Sequence, residues 1–92
     1  MDITSKIDDF LFESVEGDIK KGMENAWGSA GMSVVYKNIT DKGAWIVVAY
    51  HKPTKKYYGV NYMDEVIDKT TEQKAKKWAE SFMGSPVTFK KV

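Results

Sequence analysis

Ala44-Trp45-Ile46-Val47-Val48-Ala49-Tyr50-His51 is the stretch on which the reading of this chain turns. It is the only run apolar on both alternating faces, with Ile46, Val48 and Tyr50 on one side and Trp45, Val47 and Ala49 on the other. A strand apolar on both sides belongs in the middle of a sheet, covered above and below. The flanking segments are read as its neighbours and its covers.

Immediately before it, Met32 to Ile39 predicts a first strand, and Thr40-Asp41-Lys42-Gly43 its hairpin turn, with Gly43 in the left-handed position. That register sets Ile39 opposite Ala44, Lys37 opposite Ile46 and Val35 opposite Val48. After it, Lys52-Pro53-Thr54-Lys55 predicts a second turn, proline standing where a type I turn wants it. A three-residue loop there pairs Tyr50 with Tyr58, Val48 with Val60 and Ile46 with Tyr62. The antiparallel meander thus has strands at about 32–39, 44–51 and 56–63. One face carries Val35, Ile39, Ile46, Val48, Tyr50, Tyr58, Val60 and Tyr62. The opposite face carries Val34, Tyr36, Trp45, Val47, Ala49, His51, Tyr57, Asn61 and Met63.

Farther out, Ile3, Ile7, Phe10, Leu11 and Val15 fall at helical spacing, which predicts a helix over about 4–16 with Gly17 as its stop. Ile19, Met23, Ala26 and Trp27 continue the period, giving a short helix over 18–27 or a prolongation of the first. Gly22 costs that segment up to ~1 kcal/mol of helix propensity. Beyond Tyr62, an acidic connector (Asp64-Glu65-Val66-Ile67-Asp68) leads to Thr70-Thr71-Glu72-Gln73, where Thr70 and Gln73 have capping-box spacing. The helix that follows, about 71–83, has Ala75, Trp78, Ala79 and Phe82 as its apolar stripe and Gly84 as its end. Pro86 then opens a C-terminal strand over 86–91, with Val87 and Phe89 inward, returning parallel by a right-handed crossover. The fold class is α+β, a single small domain over 1–92 of order α-βββ-α-β.

The chain has 92 residues, 42% of them hydrophobic and twelve of them aromatic, enough for one globular core and too apolar for disorder. It contains no cysteine, which excludes disulfides, thiolate metal sites and cysteine nucleophiles. No apolar run approaches the roughly 20 residues of a membrane span. The opening Met1-Asp2-Ile3-Thr4-Ser5-Lys6 lacks the basic region and long apolar core of a secretory signal, so a cytoplasmic protein is expected. The net charge of +1 divides unevenly: residues 1–32 balance at −4 and residues 33–92 at +5. Every basic residue except His51 is a lysine, and lysine lacks the planar fork with which arginine reads guanine or phosphate.

Chemistry-bearing residues are sparse. His51, the only histidine, stands at a strand end beside a lysine-rich turn and reads as a surface residue. Asp64, Glu65 and Asp68 lack the alternating spacing and central glycine of a calcium loop, and suit the charge of the following helix start. Gly28-Ser29-Ala30-Gly31 is not a nucleophile elbow, and no glycine-rich phosphate loop is present. With no metal set, nucleophile pair or cofactor fingerprint, the chain is read as not an enzyme, and no cofactor is expected. Lys52, Lys55 and Lys56 cluster at one turn beside Tyr57, a combination that can track a nucleic-acid backbone. The alternative is a solvated hairpin whose lysines guard the edge.

Two resemblances follow from quoted residues. Gly43-Ala44-Trp45-Ile46-Val47, Lys55-Lys56-Tyr57-Tyr58 and Thr71-Glu72-Gln73-Lys74-Ala75-Lys76-Lys77-Trp78 together resemble the three-strand-plus-helix arm-binding domains of tyrosine integrases. That resemblance implies a sheet laid in the DNA major groove, although the face that would touch DNA here is apolar and holds no arginine. Ile7-Asp8-Asp9-Phe10-Leu11-Phe12-Glu13-Ser14 is similar to capsid-targeting leaders of large tailed phages. The similarity implies cleavage after Glu13 at Leu11-Phe12-Glu13, which would remove a net −3 and leave a body of +4.

The function expected first is a non-catalytic interaction or regulatory domain binding another macromolecule, before all others a protein. Its candidate contact residues are Tyr36, Trp45, His51 and Tyr57, which the expected register places on one sheet face. The second expectation is a weakly sequence-specific nucleic-acid-binding module using Lys52, Lys55, Lys56 and Tyr57. A third is a tailed-phage capsid-associated protein with a leader. No metal and no membrane partner are expected.

Overall fold

A computed structural model describes residues 17–28, 31–40 and 42–92. The helix expected over 4–16, and with it the cleavage site at Glu13, lies outside the described residues. Within them, helix α1 covers 17–27, as the spacing of Ile19, Met23, Ala26 and Trp27 requires. Gly28, at φ 71°, turns the chain out of the helix while its N–H reaches the Glu24 carbonyl at 3.2 Å. Four antiparallel strands follow in sheet order β1-β2-β3-β4: β1 Met32–Ile39, β2 Trp45–His51, β3 Lys56–Asn61 and β4 Val66–Thr70. Helix α2, Glu72–Met83, closes the order. The described residues form a small α+β domain with two helices and a four-strand sheet.

Strand β2 is central, and its residues Trp45 to Ala49 are all buried, four of them completely. Each large side chain among them contributes about 1.5–3 kcal/mol through burial. On one face Trp45 and Val47 pack with Val60, Ile19, Met23, Ala26 and Trp27 under α1. On the other Ile46 and Val48 pack with Val35, Ala75, Ala79 and Trp78 under α2. Each face contains one tryptophan seated on a glycine, in opposite senses. A Cβ on Gly22 of α1 would lie 2.6 Å from the Trp45 ring, and one on Gly59 of β3 would lie 2.4 Å from the Trp78 ring. Gly22, a cost to helix propensity in the sequence, is what lets α1 approach the sheet.

Three expectations are corrected. The fourth strand is not 86–91 but Val66–Thr70, which pairs antiparallel with β3 rather than returning parallel. The connector read as acidic loop is a hairpin arm, because Asn61 organises the turn before it. Residues 86–91 form no strand; they lie against the α2 face and meet the sheet through the Lys90 N–H, which donates to the Val35 carbonyl at 2.7 Å.

The second correction is the β2–β3 register. The turn spans four residues, 52–55, instead of three, because Lys55 takes the left-handed conformation at φ 57°. Pairing shifts by one: Ala49 meets Tyr58, Val48 meets Gly59 and Tyr50 meets Tyr57. A one-residue shift moves every side chain of the strand to the other face, so Val60 packs with Trp45 while Tyr57 joins the α2 side.

The third correction is a bulge in β1. Val34 opposes Ala49 and Tyr36 opposes Val48, leaving Val35 as the extra residue. Val35 and Tyr36 then both face α2. The expected β1–β2 register holds from Met32 to Val34 and is displaced by one after the bulge.

The helix boundaries follow the sequence closely. Thr71, rather than Thr70, is the N-cap of α2, its Oγ1 accepting the Lys74 N–H at 3.3 Å. Gly84, at φ 71°, ends the helix as expected.

Candidate interaction surface

The two ends of β3 carry the polar and exposed apolar residues from which a site could be built, about 20 Å apart by strand rise. At its start, Lys52, Lys55 and Lys56 are all exposed, as the sequence predicts. The turn is fastened by the Lys55 N–H to the His51 carbonyl at 2.8 Å and by the Lys52 N–H to the Gly31 carbonyl at 3.2 Å. His51 is half-buried; its Nδ1 lies 2.6 Å from the Thr54 Oγ1, and its ring meets Tyr58 edge-on at 6.0 Å. Tyr58 in turn meets Trp27 edge-on at 6.1 Å.

Tyr57 does not stand beside the lysines as a free stacking surface. It lies on the α2 face, 4.9 Å from the Tyr50 ring and stacked at 5.9 Å on Phe89. Burial pushes its hydroxyl above the usual phenolic value of about 10, aided by the nearby Glu72 carboxylate and by Tyr50.

The four contact residues expected on one face are divided. Trp45 is 4% exposed and belongs to the core beneath α1. His51 sits at the turn, while the bulge and the register shift carry Tyr36 and Tyr57 to the α2 side, where both meet Phe89. Expecting a smooth ladder from Met32 to Met63 put them together; one extra residue in each of two places separates them.

At the other end of β3 the structure presents a surface that the sequence reading passed over. Asn61 is 1% exposed, yet both the oxygen and the nitrogen of its amide are hydrogen-bonded. Its Oδ1 accepts the N–H groups of Met63 at 3.0 Å and Glu65 at 3.2 Å, and its Nδ2 donates to the Glu65 carboxylate at 3.2 Å. Its backbone N–H donates to the Glu65 carbonyl at 3.1 Å, and its own carbonyl accepts the Asp64 N–H at 3.0 Å. Asp64 takes φ 59° to close the turn. The fixed loop displays Tyr62, Met63 and Val66 at 48%, 61% and 47% exposure, three large apolar side chains within five residues. Tyr62 leans edge-on against Phe82 of α2 at 5.9 Å, which holds its ring in place. Asp64, Glu65 and Asp68 stand exposed around it. The available sequence signal was Asn61 at a strand end with an acidic turn after it, an Asx-turn pattern.

Among the described residues no group of three or more His, Asp or Glu side chains is placed to hold a metal ion, and no helix is long and apolar enough to cross a membrane. Comparison with protein-family models, curated proteins and solved structures finds no match to this chain.

Proposed function

We propose that this domain is a non-catalytic interaction module that binds another protein through the 61–66 loop. The observation that carries the reading is the loop's construction: a buried Asn61, hydrogen-bonded through both ends of its amide, fixes a turn whose outward residues, Tyr62, Met63 and Val66, are large and apolar. Exposed apolar groups held in fixed geometry lose little conformational freedom on association, which favours binding. Tyrosine is frequent among the residues that dominate interface energetics, and methionine adapts to irregular recesses. The fitting partner has an apolar recess for Tyr62 and Met63, with lysine or arginine at its rim to face Asp64, Glu65 and Asp68.

The test compares the wild-type chain with a Tyr62→Ser, Met63→Ser double variant as bait in source-cell extract treated with nuclease. The reading expects one protein retained by the wild type and lost with the variant, at unchanged melting temperature. Retention by both chains would contradict it.

The lysine turn supports a second reading as a nucleic-acid contact, since Lys52, Lys55 and Lys56 share one exposed turn. Without Tyr57 as a stacking partner, phosphate attraction alone remains, and such binding weakens steeply with salt.

A further inference from the structure

On the α2 face, the helix does not cover the sheet alone. Its closest positions are Ala75 and Ala79, both completely buried, and the remainder of the face is filled by Val87 and Phe89 from the segment after Gly84. Phe89 is seated among aromatic rings, stacked at 5.9 Å on Tyr57 and tilted at 6.2 Å against Tyr36; Tyr50 backs Tyr57 at 4.9 Å. The Lys76 ammonium stands 5.6 Å from the centre of the Phe89 ring. Glu72 lines the same recess with Lys90 and Lys91, and its carboxylate lies 3.9 Å from the Lys76 ammonium.

The segment is attached lightly. Among the described residues, two of its backbone N–H groups have protein partners: Val87 to the Glu80 carboxylate at 3.2 Å and Lys90 to the Val35 carbonyl at 2.7 Å. The second bond falls on the bulge residue of β1, which is an edge strand. No ladder ties residues 86–91 to the sheet, and the segment leaves α2 through left-handed Gly84. By contrast β4, only five residues long, is secured by paired strand contacts along β3.

We propose that the Tyr36–Tyr50–Tyr57 recess is a peptide-binding slot, occupied here by the chain's own residues 86–91, that accepts an extended partner segment bearing an aromatic residue followed by lysine or arginine. The resident segment specifies the ligand: a branched apolar residue, one spacer, an aromatic anchor and a cation, joined to an edge strand by a main-chain hydrogen bond. Edge strands commonly recognise extended peptides in this way, with backbone bonds for affinity and a side-chain recess for selectivity. The resident segment competes at an effective concentration on the order of millimolar, so the slot responds to partners that exceed it. This surface is separate from the 61–66 loop, and either can fail without the other.

The test uses the full chain with Phe89→Ala and a fluorescein-labelled peptide of sequence Ser-Pro-Val-Thr-Phe-Lys-Lys-Val. The variant should bind the peptide about tenfold or more tightly than the wild type does, as removal of the resident anchor predicts. Replacing the peptide's phenylalanine by alanine should abolish binding. Equal binding by both chains, no binding by a folded variant, or a variant that cannot fold would each overturn the proposal, the last because the slot could not then be vacated. Concentration-dependent dimerisation of the wild type, lost in Phe89→Ala, would assign the slot to a second copy and overturn the partner assignment. Hydrogen exchange on the unmodified protein gives an independent reading. The Lys90 amide should exchange at least ten times faster than the Val48 amide; equal rates would mean that the segment opens only with the whole domain.

Discussion

The turns at the two ends of β3 are built on the same device and display opposite chemistry. Each closes with a non-glycine residue in the left-handed conformation, Lys55 at φ 57° in one and Asp64 at φ 59° in the other. At the 52–55 turn the residues outside the strands are polar or proline and all are exposed, so water and salt reach every charge. At the 62–65 turn a buried amide fixes the backbone and the exposed residues include large apolar ones. Exposed lysines on a turn are solvated and screened within about 10 Å at 0.1 M salt. Apolar side chains held out of the core gain free energy only when something covers them. The difference is the reason the 62–65 turn, and not the 52–55 turn, is proposed as the contact surface.

The strand between them offers the largest effect. Gly59→Ala places a Cβ 2.4 Å from the Trp78 ring and 2.9 Å from Ile67, both across packed elements. Overpacking there should cost about 3 kcal/mol, and both turns should loosen together in hydrogen exchange. For a domain this small that corresponds to a melting shift of more than about 10 °C. A shift of a degree or two would mean that α2 yields easily.

Asn61→Ala breaks the comparison at one end only. It removes the acceptor for two backbone N–H groups and should cost about 1–3 kcal/mol. Amides of 63–65 should lose protection while the Lys55 amide keeps its own. Equal loosening at both turns would show that Asn61 supports the core rather than the loop.

Replacing each left-handed residue by glycine sharpens the contrast. Lys55→Gly should stabilise by about 0.5–1 kcal/mol, since lysine pays a steric cost there that glycine does not. Asp64→Gly should gain less, because aspartate tolerates the left-handed region better than lysine does. Denaturant midpoints with unchanged slopes would check both. Smallest of all, changing Lys52, Lys55 and Lys56 together to glutamine should leave the folding free energy within about 0.5 kcal/mol.

These turns also mark where the sequence ceased to be legible. The central strand, the hairpin at Gly43, the helix ending at Gly84 and the cover beneath Trp78 all follow from periodicity and from glycines that announce positive φ. Gly43 does take φ 80°, but the expected pairing holds only at the far end of the hairpin, from Met32 to Val34, and is displaced by one between the bulge and the turn. Lys55 and Asp64 carry positive φ without announcing it, because the surrounding hydrogen bonds, not residue preference, select that conformation. One such residue lengthened a loop and moved Tyr57 across the sheet; the other turned an acidic connector into β4. The bulge at Val35 was equally silent, since Val34, Val35 and Tyr36 would each suit a strand on either face. The candidate contact surface was missed for a related reason: Tyr62 and Met63 looked like strand residues until Asn61 was known to end the strand.

The most direct test of the functional reading places a photo-crosslinking residue at Met63 in one chain and at Lys55 in another, and irradiates source cells expressing each. The account predicts a discrete, nuclease-resistant protein adduct at position 63 and none at position 55. A nuclease-sensitive adduct at position 55, with position 63 remaining unmodified, would contradict it and make the lysine turn the working surface.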